Sequence, residues 1–298
     1  MMCRILAYVV VFLTASNLLG QEYEIHLTRA DQVGDKSEME AVSSQSSLMS
    51  ISRQGQLQKN NSTQTVTLEG IKTVLEVDGS RIATKLSVVV SRFVVARDGK
   101  ENEQEALAKG AQIVAQWEQG ETVFFVNGKK ASEDIAVILL DFFPSHTTKA
   151  TDDEIFGTNE RKKVGDTWPV NSIKAAADLS SKVSEISPEN IKGITKLEKI
   201  VENEGIQCLR INGNIEFNGA ELPVPAGMAL EKAAVSATFT GDFPIDLTIG
   251  VLSEEALFTM RAEAKGKASP DAPESTMSLS VTASKKEKYR PLKPALKL

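Results

Sequence analysis

Apolar and polar residues alternate along much of this chain, above all from residue 65 onwards, and this alternation predicts β-strands. The alternating runs are interrupted at Asp78-Gly79 and Asn127-Gly128, pairs that favour the tight turns of β-hairpins. The strands predicted in this way cover residues 23–27, 65–77, 81–97, 121–126, 194–201, 206–217, 233–241, 244–249, 256–265 and 275–286. The short connections between them predict an antiparallel meander.

Helical spacing of apolar residues marks three further segments. In residues 103–117 apolar side chains recur every three or four positions, although Gly110 weakens the middle of this predicted helix. A second helix is predicted to begin after Ser132 as N-cap, and it is apolar nearly all round up to Phe143, which predicts that it is buried. A third predicted helix covers residues 172–183.

Three segments show neither pattern. Residues 34–53 are rich in Ser, Glu and Met without clear periodicity, and we expect an irregular or weakly helical stretch there. The polar segment 145–163 is predicted to be a linker, inside which Thr151 and Glu154 fit a capping box for a single helical turn. Residues 289–298, rich in Pro and Lys, are predicted to form a poorly packed tail.

The beginning of the chain has the pattern of a signal peptide. Arg4 precedes an apolar run from Ile5 to Leu19, and Gly20 offers a cleavage point. The run is shorter than the ~20 residues that cross a bilayer as a helix, and an uncleaved membrane anchor is the alternative. The predicted divisions are residues 1–20 signal peptide, 21–144 N-terminal α+β half, 145–163 linker, 164–288 C-terminal β-rich half and 289–298 flexible tail.

Charge and cysteine content narrow the partners and the compartment. The full chain carries a net charge of −6, and loss of Arg4 with the signal peptide makes it −7. This acidity argues against nucleic acid and against anionic membrane surfaces as partners. Of the two cysteines only Cys208 follows the signal peptide, so an internal disulfide is excluded. We expect an exported bacterial protein, periplasmic or secreted, with no transmembrane segment after signal cleavage.

Few residues suggest chemistry. Cys208 lies in an alternating run, where a buried small side chain is favoured over a nucleophile. His26 and His146 are isolated, which leaves no Cys/His zinc constellation. The acidic run 152–154 fits helix capping better than a calcium loop, and Trp168 is expected to pack on a sheet edge rather than on a ligand. We assign no catalytic, cofactor-binding or metal-binding residue and expect no cofactor.

Two short segments suggest an internal repeat. Gln32–Asp35 in the first half and Lys163–Asp166 in the second share the sequence Val-Gly-Asp, and a stretch without strand character follows each. Paired strands come next in both halves, with Leu-Glu at 75–76 and again at 197–198. A duplication would give two similar halves, each bending a sheet over helices.

Three motifs carry a resemblance to known families. They are the apolar helix ending at Phe143-Pro144, Lys-x-Val-Gly-Asp-Thr-Trp at 162–168 and Ile-Asp-Leu-x-x-Gly at 245–250. This combination resembles several uncharacterised exported families of bacteria, over roughly residues 120–285. The architecture of those families is similar to the curved antiparallel half-barrel of the LolA-like lipoprotein carriers. The resemblance implies a sheet wrapped around helices and an apolar cavity; this chain lacks a lipobox, and no binding residue carries over.

The predicted fold class is α+β, dominated by antiparallel strands, with curved sheets packed on a few helices in two related half-barrel-like halves. The leading hypothesis is a non-catalytic protein of the cell envelope that binds an apolar ligand or a lipid. One alternative is a protein-interaction or structural component that binds an envelope protein. A second is a carboxylate-based hydrolase, because two acids distant in sequence can meet in a site without leaving a motif.

Overall fold

The computed structural model describes residues 20–54, 56–98, 104–118, 120–143, 150–180, 186–218, 224–267 and 273–292. The predicted signal peptide, apart from Gly20, lies outside these ranges. So do His146, residues 181–183 of the third predicted helix and residues 293–298 of the predicted tail. In the described ranges no helix combines the length and the apolar character needed to span a membrane.

Long antiparallel strands make up most of the described chain. The strands are β1 (Tyr23–Ile25), β2 (Lys36–Arg53), β3 (Gln56–Val77), β4 (Ala83–Arg97), β5 (Gln104–Glu105), β6 (Gln112–Glu118), β7 (Glu121–Val126), β8 (Lys129–Lys130), β9 (Thr158–Lys162), β10 (Thr167–Pro169), β11 (Ile191–Asn203), β12 (Ile206–Asn218), β13 (Met228–Pro244), β14 (Ser253–Gly266) and β15 (Ser275–Pro291). The helices are α1 (Glu133–Leu139), α2 (Asp152–Phe156) and α3 (Ser172–Ser180), with a 3₁₀ turn at Pro188–Asn190.

Thirteen of the strands found in the described ranges form one sheet. Their order is β10-β11-β12-β13-β14-β15-β2-β3-β4-β6-β7-β8, with β5 beside β4, while β1 and β9 make a separate pair. The first half of the chain supplies one end of the sheet and the second half the other. The two halves join where β15 pairs with β2, from Ser275 opposite Arg53 to Pro291 opposite Ser37. The prediction of a mostly antiparallel β protein is confirmed.

The helices pack on one face of the sheet, which we call the inner face. α1 contributes Ile138 and Leu139 to a first core with β2, β3, β4, β6 and β7. α2 and α3 pack in a second core with β11 to β13, and Trp168 lies in a third core with β1, β11 and β12. One row of directly opposed residues shows that the first and third cores share a face; it contains Ile211, Gly241, Glu254, Glu287, Ala41, Leu68 and Phe93. Ile215 of the second core lies on the same side of β12 as Ile211, four residues further along the strand.

The prediction of an irregular or weakly helical stretch at 34–53 is wrong, because nearly all of it is strand β2. Met39 and Ala41 are buried on the inner face, but the next inner positions are Ser43 and Gln45. Alternation therefore fades in the sequence although the strand continues. Hydrogen bonding to β3 on one side and β15 on the other satisfies the backbone and overrides the low β-propensity of Ser and Glu.

The predicted helix at 103–117 is also wrong. Gln104–Glu105 forms β5, Gln112–Glu118 forms β6, and the turn between them contains Gly110 with a φ of +88°. The glycine that weakened the predicted helix provides the left-handed conformation that the turn requires. Ile113 and Ala115 are buried at alternate positions, which is the period of a strand.

Two smaller differences concern the C-terminal half. The predicted strand 244–249 lies mostly in a turn, in which the Asp246 carboxylate accepts the backbone N–H of Thr248 at 2.9 Å. The predicted tail is ordered strand as far as Pro291, and Tyr289 packs against the first core. The turn is formed by local hydrogen bonds, whereas the end of β15 derives its structure from pairing with the distant strand β2.

Local turn and capping signals agree with the structure. Asp78-Gly79 and Asn127-Gly128 both lie in hairpin turns, and Asn127 and Gly128 have φ values of +50° and +78°. The capping box of Thr151 and Glu154 is formed at the start of α2, and β9 follows within the segment predicted to be a linker. α1 begins after Ser132, without a hydrogen bond from that side chain. The boundaries of the two halves stay a prediction.

The expectation that α1 is buried on all sides is wrong. Ile138 and Leu139 are buried, whereas Val137 is 61% exposed and Leu140, directly after the helix, is 49% exposed. The helix lies on the inner face with its other side turned towards solvent. Some of its apolar side chains therefore remain exposed instead of packing in the first core.

Candidate functional site

A strip of the inner face lies between the two sets of helices. In antiparallel pairing, directly opposed residues point to the same side of the sheet, so the register of β14 and β15 defines rows of neighbouring side chains. We call the inner-face rows of these two strands the trough. The rows are Ala264 with Met277, Ala262 with Leu279, Met260 with Val281, Phe258 with Ala283, Ala256 with Lys285 and Glu254 with Glu287.

Most of the trough is apolar but only half-buried. Phe258 and Met260 touch the second core along one side, and Ala262 and Ala264 are buried. Met277, Leu279, Val281 and Ala283 are half-buried, and Ala256 is exposed. The apolar surface continues onto β2, where half-buried Met49 stands opposite Leu279 and half-buried Ile51 opposite Met277. The sheet thus presents incompletely covered apolar side chains next to two well-packed cores.

The outer face of β15 is polar, and the outer faces of β14 and β2 beside it are mostly polar, with exposed Leu257 and Leu48 as exceptions. Between the apolar positions of β15 lie Ser278, Ser280, Thr282 and Ser284, and β2 adds Ser44, Ser46 and Ser50 opposite three of them. A strand that separates polar from apolar side chains in this way places its apolar side against other apolar groups. The inner face of the trough is therefore suited to contact an apolar partner.

Methionine is prominent along the apolar rows. Met49, Met260 and Met277 supply three of the chain's seven methionines. The unbranched thioether side chain adapts its shape, which is why Met is common on surfaces that bind varied apolar ligands. From Met277 to Ala283 the strand advances by about 20 Å, at roughly 3.3 Å per residue.

The trough ends at a cluster of charged residues. Glu254 and Glu287 stand directly opposite each other, and Glu287 is 6% exposed. Lys285 Nζ lies 3.0 Å from Glu287 Oε1, although that oxygen accepts no hydrogen bond of good geometry. Nearby, Lys72 Nζ lies 4.9 Å from the centroid of the Tyr289 ring, a cation–π contact.

Burial shifts the pKa values in this cluster. It raises the pKa of Glu254 to about 7, and the negative charges of Asp152 and Glu287 add to the effect. Burial likewise lowers the pKa of Lys72 and raises the pKa of Tyr289 well above its usual range. One wall beside Glu254 is the Phe243 ring, which lies over Gly241 on β13, where any side chain would collide with it.

The residues considered in the sequence have structural roles. Trp168 is buried, donates its indole N–H to the Phe156 carbonyl at 2.7 Å and belongs to the third core, so it is no ligand-stacking residue in an open cleft. The Asp153 carboxylate accepts the N–H groups of Leu27 and Thr28 at 2.6 and 3.0 Å. Glu154 completes the capping box of α2.

Cys208 and His26 lie outside the trough. Cys208 is fully buried on β12, and burial raises the pKa of its thiol to about 11. His26 is partly exposed, with Nε2 3.8 Å from Glu24 Oε2. Over the described ranges no group of three His, Cys, Asp or Glu residues is arranged to hold a metal ion. Of the described residues considered in the sequence, only Asp152, from the acidic run 152–154, acts on the charged end of the trough, through its charge on Glu254.

The sequence provided little sign of the trough. Glu254 and Glu287 come from separate strands, and only the register of β14 and β15 brings them together. A separate small pocket, lined by Leu86, Ala115, Trp117 and Phe143 among others, has room for about one water molecule. That pocket is too small for a lipid, so the open trough is the candidate binding site.

Comparison with known proteins assigns no family. No family model matches this chain, and no curated protein matches it. A structure of lipovitellin, described by its lipid–protein interactions, is similar over 90% of this chain and 26% of that chain, with 9% identity and a TM-score of 0.39. This chain therefore spans about a quarter of the lipovitellin chain.

Two bacterial structures are similar at lower scores. The outer membrane protein OprG from Pseudomonas aeruginosa matches 88% of this chain and 98% of its own, with 9% identity and a TM-score of 0.17. A DUF1329 family protein from Desulfovibrio piger matches 80% of this chain and 83% of its own, with 10% identity and a TM-score of 0.14. These neighbours include lipid-binding and envelope proteins, but every one of these TM-scores is below 0.5 and assigns no shared fold.

Proposed function

We propose that this protein is a non-catalytic binding protein of the bacterial cell envelope that holds an apolar ligand, such as the acyl chain of a lipid, in the trough. The observation that carries the proposal is the set of half-buried apolar rows on β14 and β15, extended onto β2 by Met49 and Ile51, on strands whose opposite face is mostly polar. An acyl chain would complete the burial that the helices provide only over the neighbouring cores.

The energetics fit a reversible binder. Each buried CH₂ of a ligand contributes about 0.8 kcal/mol, and immobilising the ligand offsets a large part of that sum. The methionines allow the surface to adjust to tails of different shape. We therefore expect selectivity for chain length and apolar character rather than for one tail structure.

The test is native mass spectrometry combined with lipid extraction on the purified protein. Wild-type protein is expected to carry lipid, and Leu279→Asp on the trough is expected to lose it. Ser280→Asp, one position further along β15 and on the outer face, is the matched control and should keep it. Circular dichroism checks that both variants fold. Wild-type protein without lipid, or equal lipid in both variants, would count against the proposal and favour the protein-interaction alternative.

A carboxylate-based hydrolase is the second candidate. The observation that favours it is the opposed pair Glu254 and Glu287, of which Glu254 has a raised pKa. The pair lies on adjacent strands of one sheet rather than across a cleft, and Lys285 accompanies Glu287, so binding ranks first. Turnover of a glycoside that disappears in Glu254→Gln would reverse this order.

A further inference from the structure

The apolar rows of the trough are followed along the strands by the row of Ala256 with Lys285 and then by the acid pair. Along β14 and β15 the inner face passes from Met277 through Phe258 and exposed Ala256 to Glu254 and Glu287. A ligand lying along the strands would have its tail on the apolar rows and its head at the two carboxylates. This order of surfaces is what an amphiphile requires.

Lys285 and Lys72 both attract the Glu254 carboxylate, but neither forms a direct ion pair with it. Lys285 lies against Glu287, and Lys72 lies over the Tyr289 ring. In the described part of the chain, Glu254 has no hydrogen bond and no ion pair. A carboxylate directly opposite another carboxylate is repelled by it, and burial strengthens that repulsion. Among the described residues, no basic side chain lies within ion-pair distance of Glu254, because Lys285 and Lys72 are engaged by Glu287 and the Tyr289 ring.

We propose that Glu254 and Glu287 receive the ammonium group of a cationic amphiphile whose alkyl tail lies in the trough, an inference that rests on the proposed function. An anionic head would face both acids, while the two lysines already have partners. Ammonium groups donate charge-assisted hydrogen bonds to carboxylates, and the burial of Glu287 and partial burial of Glu254 make such bonds stronger.

The charged and titratable groups around Glu254 determine how binding responds to pH. They are Glu287, Lys285 and Tyr289 from β15, Lys72 from β3, Asp152 from α2 and Asp31 from the segment before β2. The pKa of Glu254 is about 7, so an ammonium ligand that favours the ionised carboxyl is expected to release about half a proton at pH 7. Calorimetry in buffers of different ionisation enthalpy measures that release.

The decisive experiment is calorimetric titration at pH 8 with three amphiphiles that share a ten-carbon tail, each below its micelle concentration. They are decylamine, decyl maltoside and decyl sulfate. Decylamine is expected to bind about tenfold more tightly than decyl maltoside, because its ammonium group gains one charge-assisted hydrogen bond. Decyl sulfate is expected to bind more weakly than either, because its head group has the same charge as the two acids. Glu254→Gln should remove the preference for decylamine. Glu255→Gln, the exposed neighbour on the outer face, is the matched control and should retain it.

The outcomes separate the two proposals. Failure of decyl maltoside and decylamine alike to bind would overturn the proposed function itself. Equal affinity for all three amphiphiles, or an equal loss of decylamine affinity in Glu254→Gln and Glu255→Gln, would leave the trough as an apolar site and overturn the cationic preference.

Discussion

Asp35 and Asp166 occupy equivalent places in two turns with the same hydrogen bonds. The Asp35 carboxylate accepts the backbone N–H of Gln32 at 2.9 Å, and the Asp166 carboxylate accepts that of Lys163 at 2.8 Å. In both turns the aspartate N–H also donates to the carbonyl three residues earlier, at 3.0 Å. The first turn leads into β2 and the second into β10.

The neighbouring glycines repeat the same contacts. Gly34 has a φ of +94° and donates to Val74 at 2.9 Å, whereas Gly165 has a φ of +97° and donates to Leu197 at 2.7 Å. Val74 and Leu197 donate back to the aspartate carbonyls of their own turns. Each turn thus fastens the start of one strand to the next strand along the chain. This correspondence supports the proposal that the two halves arose by duplication.

Substitution of these glycines should therefore have matched effects. Gly34→Ala and Gly165→Ala place a side chain at positive φ, and we expect each to lower the free energy of unfolding by about 1 kcal/mol or more. Gly79→Ala is the control, because Gly79 has no positive φ and open space around its Cα. Urea denaturation measures all three. A loss confined to one of the two turns would contradict their equivalence.

The buried carboxylate of Asp242 stabilises the C-terminal end of β13. Asp242 accepts hydrogen bonds from Arg210 Nε at 2.7 Å, Ser253 Oγ at 3.0 Å and Asn203 Nδ2 at 3.1 Å. Asp242→Ala leaves the Arg210 guanidinium without its partner, and we expect a loss of about 3 kcal/mol of stability. Asp246→Ala, at an exposed turn, should cost about 1 kcal/mol or less. Similar losses in the two variants would refute the role assigned to the network.

The same carboxylate predicts sensitivity to acid. Although burial alone would raise it, the pKa of Asp242 is lowered overall by hydrogen bonds from Arg210, Ser253 and Asn203. A carboxylate whose pKa is lower in the folded than in the unfolded protein stabilises the fold. This stabilisation is fully present at pH values above the pKa of the unfolded state and is lost as the pH falls through the pKa of the folded state. The ordinary pKa of an aspartate is 3.8, so the wild-type protein should lose stability as the pH falls below 3.8. The Asp242→Asn variant, which lacks this carboxylate, should lose less stability over the same range. Denaturation curves between pH 5 and pH 3 provide the comparison.

Glu254 should produce the opposite dependence. Folding raises the pKa of Glu254 from 4.5 to about 7. Its contribution to stability is therefore fully present below pH 4.5, where the carboxyl is protonated in both states, and it is lost as the pH rises through 7. For this half-buried group we expect Glu254→Gln to be about 1 to 2 kcal/mol more stable than wild type at pH 8, with a smaller difference at pH 4. Urea denaturation at both pH values tests this. A variant that is no more stable at pH 8 would contradict the buried charge.

Cys208 should be inert in the native protein. Burial and the nearby charge of Asp242 raise the pKa of the thiol to about 11, and the side chain is fully buried. Since thiolates rather than thiols react, modification by a disulfide reagent at pH 8 should proceed only through unfolding. The rate should rise with urea as the protein unfolds. Rapid labelling in the absence of urea would show that the thiol is accessible.

Local signals were readable from the sequence, and contacts between distant strands were not. Asn127-Gly128 and the Thr151 capping box depend on a few adjacent residues, and both formed as predicted. β2 was missed because its strand character depends on two neighbouring strands rather than on its own composition. The acid pair was missed because the register of β14 and β15, which no local pattern encodes, brings Glu254 opposite Glu287.

The pairing of β15 with β2 also limits when the sheet can finish folding during synthesis. β2 cannot form this pairing until β15 has been synthesised, so a nascent chain on the ribosome keeps one edge of β2 and one edge of β14 unpaired until β15 has emerged. Open strand edges invite pairing with other chains, and distant pairings form slowly. Newly made molecules would therefore depend on chaperones, or on a low concentration of unfolded chains, until β15 has paired with β2.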